Sequence, residues 1–242
     1  ATANGSPTVD KPNSGSDCNG PLCGTTQKNL NPDGTNIAFL IPLFVALACF
    51  DHFVCYFYCQ YNENSARKWL FVIGSNPFRW MEYSISASVM ALAIAILAGV
   101  TDVHLWFCIF MFTAIGIGFG AILEILPTET QVSMGIDEEQ TISLTTIKSI
   151  CFWFGSISIF TPWLIIICYF FQAASSDMPD FVYAAFLGTL LLFITFGINS
   201  YLYNITKKYD FYTTEMIYII LSFTAKTFLA ADVFGGLNAS DN

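Results

Sequence analysis

The stretch TTEMIYIILSFTAKTFLAADVFGG, residues 213–236, decides the fold. A helix of about 20 apolar residues crosses a hydrocarbon layer of about 30 Å, and this run is long enough. It nevertheless carries a lysine, Lys226, near its centre, too deep to snorkel to the interface. A charge in hydrocarbon costs on the order of a few kcal/mol or more, so a residue placed there points to function.

Five further apolar segments precede it, at roughly 37–58, 79–100, 103–125, 145–171 and 180–204. Backbone polar groups must be satisfied internally in lipid, and these runs lack the alternation of barrel strands. The expected fold is therefore an all-α membrane protein, a single bundle over residues 35–236 of the 242-residue chain. Composition agrees, with a mean hydropathy of +0.57 and only 11% charged residues, about half the charge of a soluble domain. The net charge of −9 excludes a nucleic-acid partner, because nothing would neutralise phosphates. Asn76-Pro77 supplies a start signal for the second span.

Residues 1–34 are rich in Gly, Pro, Asn, Ser and Thr and read as a polar loop, with room for short β-strands. They lack the apolar core of a signal peptide. Cys18 and Cys23 lie in this stretch and would pair only in an oxidising compartment. The other cysteines lie in or beside apolar runs, where cysteine acts as a small hydrophobe. No CxxC pair or HExxH motif indicates a metal.

Loop charges set the orientation. Arg67, Lys68, Arg79, Lys148, Lys207 and Lys208 all fall on one side, and Lys11 and Lys28 on the other. The basic side is expected to be cytoplasmic, with the N-terminal loop and the tail at 237–242 extracellular. Asn4 and Asn238 would then be external glycosylation sequons, and Asn204 an internal one.

Several charges join Lys226 inside the spans. A desolvated lysine amine is a nucleophile toward aldehydes and suits a Schiff base. It equally suits a purely structural pair with a carboxylate. Ser222, four residues earlier, shares its face and would either bond the nitrogen or simply allow close helix packing. Glu82 is the only acid well inside the second span and suits a counterion, although Arg79, three residues before it, offers a plain ion pair. Glu215 returns to nearly the same face as Lys226, about 16 Å toward the cytoplasm, and is the sort of carboxylate that helix starts favour. Asp51, His52 and Glu124 also lie in the inner half, whereas Asp232 lies about 9 Å outward of Lys226. Phe152, Trp153, Phe154, Trp163, Phe193 and Phe196 offer walls for a long conjugated ligand, or simply face lipid.

These residues resemble a known family. NPFRWMEYSISASVM at 76–90 is similar to the third transmembrane helix of heliorhodopsins, and YIILSFTAK at 218–226 to their last, with its Ser-x-x-x-Lys retinal site. Phe152-Trp-Phe-Gly155 with Pro162-Trp163 resembles the fifth helix, Phe181-Val-Tyr183 the sixth and His52-Phe53 the second. The likeness covers about 37 to 236. It implies all-trans retinal bound covalently as a Schiff base on Lys226, with Glu82 as counterion and Ser222 beside the linkage. It places Met90, Trp153 and Phe196 near the retinal. It places His52 in a cytoplasmic polar network near Asn76 and Arg79, and leaves Glu124, Glu215 and Asp232 as further members of a proton network. The implied protein is a light sensor and not an enzyme. It would lie among membrane lipid as a homodimer, with an external C-terminus and an unknown signalling partner. A light-gated proton channel or transporter using Glu82 and the other intramembrane carboxylates is the alternative. The chain departs from the family in showing six spans instead of seven, the first being the one without a counterpart. It also has Ala48 in place of a usual serine, and Asp232 where an uncharged residue is common.

Overall fold

The structure is a computed structural model, and it describes residues 35–67, 70, 73–126, 144–173 and 180–240. Its helices are α1 (Thr35–Tyr61), α2 (Glu63–Arg67), α3 (Pro77–Leu97), α4 (Val103–Ile125), α5 (Leu144–Ala173), α6 (Asp180–Asn204) and α7 (Phe211–Ser240). All but the short α2 are long and apolar enough to span a membrane. The chain is thus a rhodopsin-like helical bundle, and α4 and α6 coincide with the segments expected at 103–125 and 180–204. The expectations for residues 1–34, including Cys18 and Cys23, and for the side chain of Asn238 lie outside the described residues.

Local chemistry sets the ends of α3. The Asn76 side chain accepts a hydrogen bond from the Arg79 N–H at 3.3 Å, and Pro77 occupies the first helical position, where no backbone donor is missed. At the other end Gly99 takes φ +88°, a left-handed conformation open to glycine at little cost. There the Gly99 N–H donates to the Ile96 carbonyl at 3.0 Å, and the Val100 N–H donates to the Ala95 carbonyl at 2.9 Å. This Schellman closure stops the helix at Leu97, short of the expected residue 100. Asp102 then caps α4 by accepting from the His104 N–H at 2.7 Å.

Helix α3 is the hub. In its most apolar stretch 56% of residues are buried, against 28% or fewer in every other span. It packs against both α1 and α4, and the Tyr58–Phe78 contact between the end of α1 and the start of α3 sets those two antiparallel. α4 pairs with α5, and α6 with α7, whereas α5 and α6 touch only sparsely. The main core gathers Phe44, Met90, Ile94, Trp163, Phe186 and Leu229 from five helices. Large exposed apolar side chains such as Phe50, Phe107, Leu164 and Phe223 point outward, as a lipid solvent allows.

The α4–α5 pair is close because Gly116 and Gly155 meet across it. A Cβ on Gly116 would collide with Ile159 and lie 2.9 Å from the Gly155 carbonyl oxygen, and one on Gly155 would lie 2.8 Å from Phe119 Cβ. Gly116→Leu should therefore cost about 1–3 kcal/mol through overpacking. Thermal unfolding in detergent checks this, and an unchanged midpoint would contradict the close approach.

Asp210 starts α7. Its carboxylate accepts from the Thr213 hydroxyl and from the N–H groups of Thr213 and Tyr212, and these bonds hold it below its ordinary value. A lowered carboxylate contributes stability above its unfolded pKa, and the contribution is lost as pH falls through the folded one. Asp210→Asn keeps a capping oxygen but no charge. Its deficit in thermal midpoint against the unaltered chain should shrink between about pH 6 and about pH 3. A constant deficit would rule out the charged cap.

Candidate functional site

Lys226 sits mid-way along α7 and is only 7% exposed. Its Nζ donates to Glu82 Oε1 on α3 at 2.7 Å and to Ser222 Oγ at 2.9 Å. Ser222 can do this because residues four apart on a helix stack on one face. The third neighbour of the nitrogen is the ring of Tyr83, with Nζ 5.4 Å from its centroid. Tyr83 in turn donates its hydroxyl to the Tyr218 carbonyl at 2.9 Å, one turn before Ser222. A buried lysine is thus faced by a carboxylate, a hydroxyl and an aromatic face, and its positive charge is matched inside the bundle.

A cavity of about 480 Å³ opens from this point among α3 to α7. Met90, Ile117, Trp163, Phe193 and Phe196 are among its walls, and Lys226 with Ser222 supplies polar atoms at its margin. The size is within the ordinary range for a small-molecule site, about 300–1,000 Å³. Trp163 meets Phe193 edge-on with centroids 5.2 Å apart and so stiffens the wall. Trp153 also borders the cavity but is 60% exposed, so it stands at the rim facing outward.

A second cluster lies toward the end of the bundle where α3 and α7 begin. Arg79 is buried, and its Nη2 donates to both carboxylate oxygens of Glu124 at 2.7 Å. Its Nη1 donates to Glu215 Oε2, and the Asn76 amide donates to Glu215 Oε1 at 2.8 Å. The Trp80 indole N–H reaches Glu124 Oε2 at 2.7 Å. One guanidinium therefore ties α3 to α4 and to α7, which its planar fork of donors suits. The Tyr218 ring lies between the clusters. Its centroid is 4.3 Å from Arg79 Cζ and 6.3 Å from that of Tyr83.

The placements of the sequence candidates follow from this. Lys226, Glu82 and Ser222 come together, with Met90 and Phe196 on the cavity wall. Asn76, Arg79, Glu124 and Glu215 come together in the other cluster. Arg79 is not the partner of Glu82, because its guanidinium reaches across to neighbouring helices instead of along its own. Glu215 is a partner of Arg79 and Asn76, not merely an interfacial carboxylate. His52 does not join that cluster: its side chain is 73% exposed, and its Nδ1 lies 3.8 Å from Asp51 Oδ2. Asp232 stands apart too, partly buried, with no hydrogen-bond partner for its Oδ2 among the described residues. Sequence reasoning missed Tyr83 and Tyr218. Their signals were present, since Tyr83 adjoins Glu82 and Tyr218 repeats the four-residue spacing of Ser222 and Lys226.

The sequence pattern of the family described as Heliorhodopsin matches residues 23–237. No curated protein matches the chain.

Removing Arg79 would leave Glu124 buried without the cation that pairs with it. Arg79→Ala should cost about 3–5 kcal/mol, the usual cost of stranding one partner of a buried pair. Adding Glu124→Gln should return part of that loss. Thermal unfolding of the single and double variants measures both, and an additive double variant would show that the contact carries no coupling.

Proposed function

The chain belongs to the heliorhodopsin family, and from that membership we propose that it is a light sensor that binds all-trans retinal covalently through Lys226. The observation that carries the reading is Lys226 Nζ held between Glu82 and Ser222 at the edge of an apolar cavity. The residues fit a long apolar aldehyde: one amine for attachment, aromatic and aliphatic walls for the polyene, and a carboxylate for the charge. Retinal supplies the absorption of visible light and isomerisation about a double bond.

The protein's own groups do the rest. Glu82 balances the cationic nitrogen in a site where an unpaired charge is costly. Its Oε1, 2.7 Å away, is placed to accept the Nζ proton when the nitrogen's surroundings change. Ser222 holds the nitrogen's direction. Motion at Lys226 then has a route away from the site. The Ser222 turn of α7 carries the Tyr218 carbonyl that Tyr83 holds, and the Tyr218 ring lies over Arg79. Displacement near Lys226 therefore loads the Arg79–Glu124–Glu215 cluster at the cytoplasmic end.

In this reading the chain lies in the membrane with its N-terminal loop and C-terminus outside, works as a homodimer, and passes its signal to a separate partner. The sensor is favoured over a light-gated proton channel or transporter by the aromatic layer of Tyr83, Tyr218 and Phe196 between the two charge clusters. The Phe196 and Tyr218 rings stack at 6.0 Å.

Reconstitution with all-trans retinal tests the reading. The unaltered chain should form a visible pigment and Lys226→Ala should not, and a visible band in Lys226→Ala would sink the assignment. Glu82→Gln should move both the band and its acid shift; if neither moves, Glu82 is not the counterion. Voltage clamp under illumination should show no current at any voltage. A light-driven current lost in Glu82→Gln would favour the channel instead.

A further inference from the structure

Asp51 is an acid inside a span that the sensor reading does not use. Its position follows from the α1–α3 packing. Near the inner end Tyr58 meets Phe78 edge-on, with centroids 4.8 Å apart. Farther out, fully buried Phe44 joins the core that holds Met90, Ala91 and Ile94. Asp51 is seven residues from each, two turns of helix, so it shares their face and lies midway between them. On the antiparallel α3 the level midway between Phe78 and Ala91–Ile94 is that of Glu82 to Ser86. The Asp51 side chain is only 16% exposed, which fits a carboxylate turned toward the bundle.

We propose that Asp51 is a second counter-charge for Lys226, acting beside Glu82. The assignment rests on Lys226 being the retinal-bearing cation. The carboxylate interacts electrostatically with Glu82, then with His52 and least with Lys226, and it also acts on the Tyr83 hydroxyl. In a low-dielectric interior such interactions are little screened by salt. The groups facing Asp51 are Glu82 and Tyr83 from α3, Lys226 from α7, and His52 and Cys55 from its own helix. His52 is the only one of these turned mostly outward. Two carboxylates around one cation titrate as a unit, so the acid transition of the chromophore belongs to the set and not to Glu82 alone.

The experiment uses the full chain reconstituted with all-trans retinal, in chloride-free sulfate buffer so that no halide replaces a lost carboxylate. Absorption is titrated for the unaltered chain, Asp51→Asn, Glu82→Gln and the double variant. Glu82→Gln should keep a displaced visible band at neutral pH because Asp51 remains. The double variant should lose that band to the near-ultraviolet. Asp51→Glu in the Glu82→Gln background, which restores the charge, should keep it. A double variant whose titration superimposes on that of Glu82→Gln overturns the proposal. Should the double variant not fold, Asp51→Asn alone decides: an acid transition displaced from that of the unaltered chain supports the role, and a superimposable one removes it. Failure of the retinal reading has its own signature, which is a visible band that survives Lys226→Ala.

Discussion

The Lys226–Glu82 ion pair is the constraint on which the rest of the bundle depends. Each charge alone at that depth would cost on the order of 3 kcal/mol on insertion scales. Paired at 2.7 Å, they become a neutral unit that a membrane interior can hold. The pair also fixes geometry. Backbone contacts between α3 and α7 are sparse, so side chains set their relation, and the space left between the helices is part of the cavity. A stronger backbone contact there would close the site.

The same helices are joined a second time, near their first turns, by Arg79 and Glu215. The two links differ in kind. Arg79 holds Glu124 as well, so the inner link is braced by a third helix and by the Trp80 indole. The middle link has one carboxylate, one hydroxyl and an aromatic face. In the proposed sensor a change at Lys226 acts first on the less braced of the two and reaches the other through the Tyr218 ring. Among the described residues, buried Asn199 Oδ1 and Thr214 Oγ1, at the α6–α7 contact, have no hydrogen-bond partner. Unsatisfied polar atoms are costly when dry, so this contact is one that a small rearrangement or a water molecule improves.

The spans were legible because the bilayer imposes length and composition on them, and α4 and α6 needed no correction. Ends were less legible where backbone conformation decides. The stop at Leu97 depends on Gly99 adopting a positive φ, which an apolar run does not reveal. Lys226, Glu82 and Ser222 could be read from charge and spacing, since the first two are rare in lipid and the third shares a helix face. The partner of Arg79 could not be read this way. Spacing offered Glu82, three residues on, as an alternative partner, but a long side chain reaches acids on other helices, and that choice depends on packing. His52 was placed by likeness to a motif, and helical rotation turns it outward instead.

Tyr83 shows why a site's neighbours are harder to read than its charges. Nothing in its composition marks it, because tyrosines are common in this chain. Its importance lies in three simultaneous contacts: its ring with Lys226, its hydroxyl with the Tyr218 carbonyl, and its edge with Phe196 at 5.7 Å. Only the packed bundle brings these together. With one rigid side chain touching the cation, the backbone of α7 and the cavity wall, a movement of any one is felt by the other two. That coupling requires no contiguous chain of charges between the clusters. It requires that the aromatic layer be tight enough to have few alternative arrangements, which close packing of ring faces and edges provides.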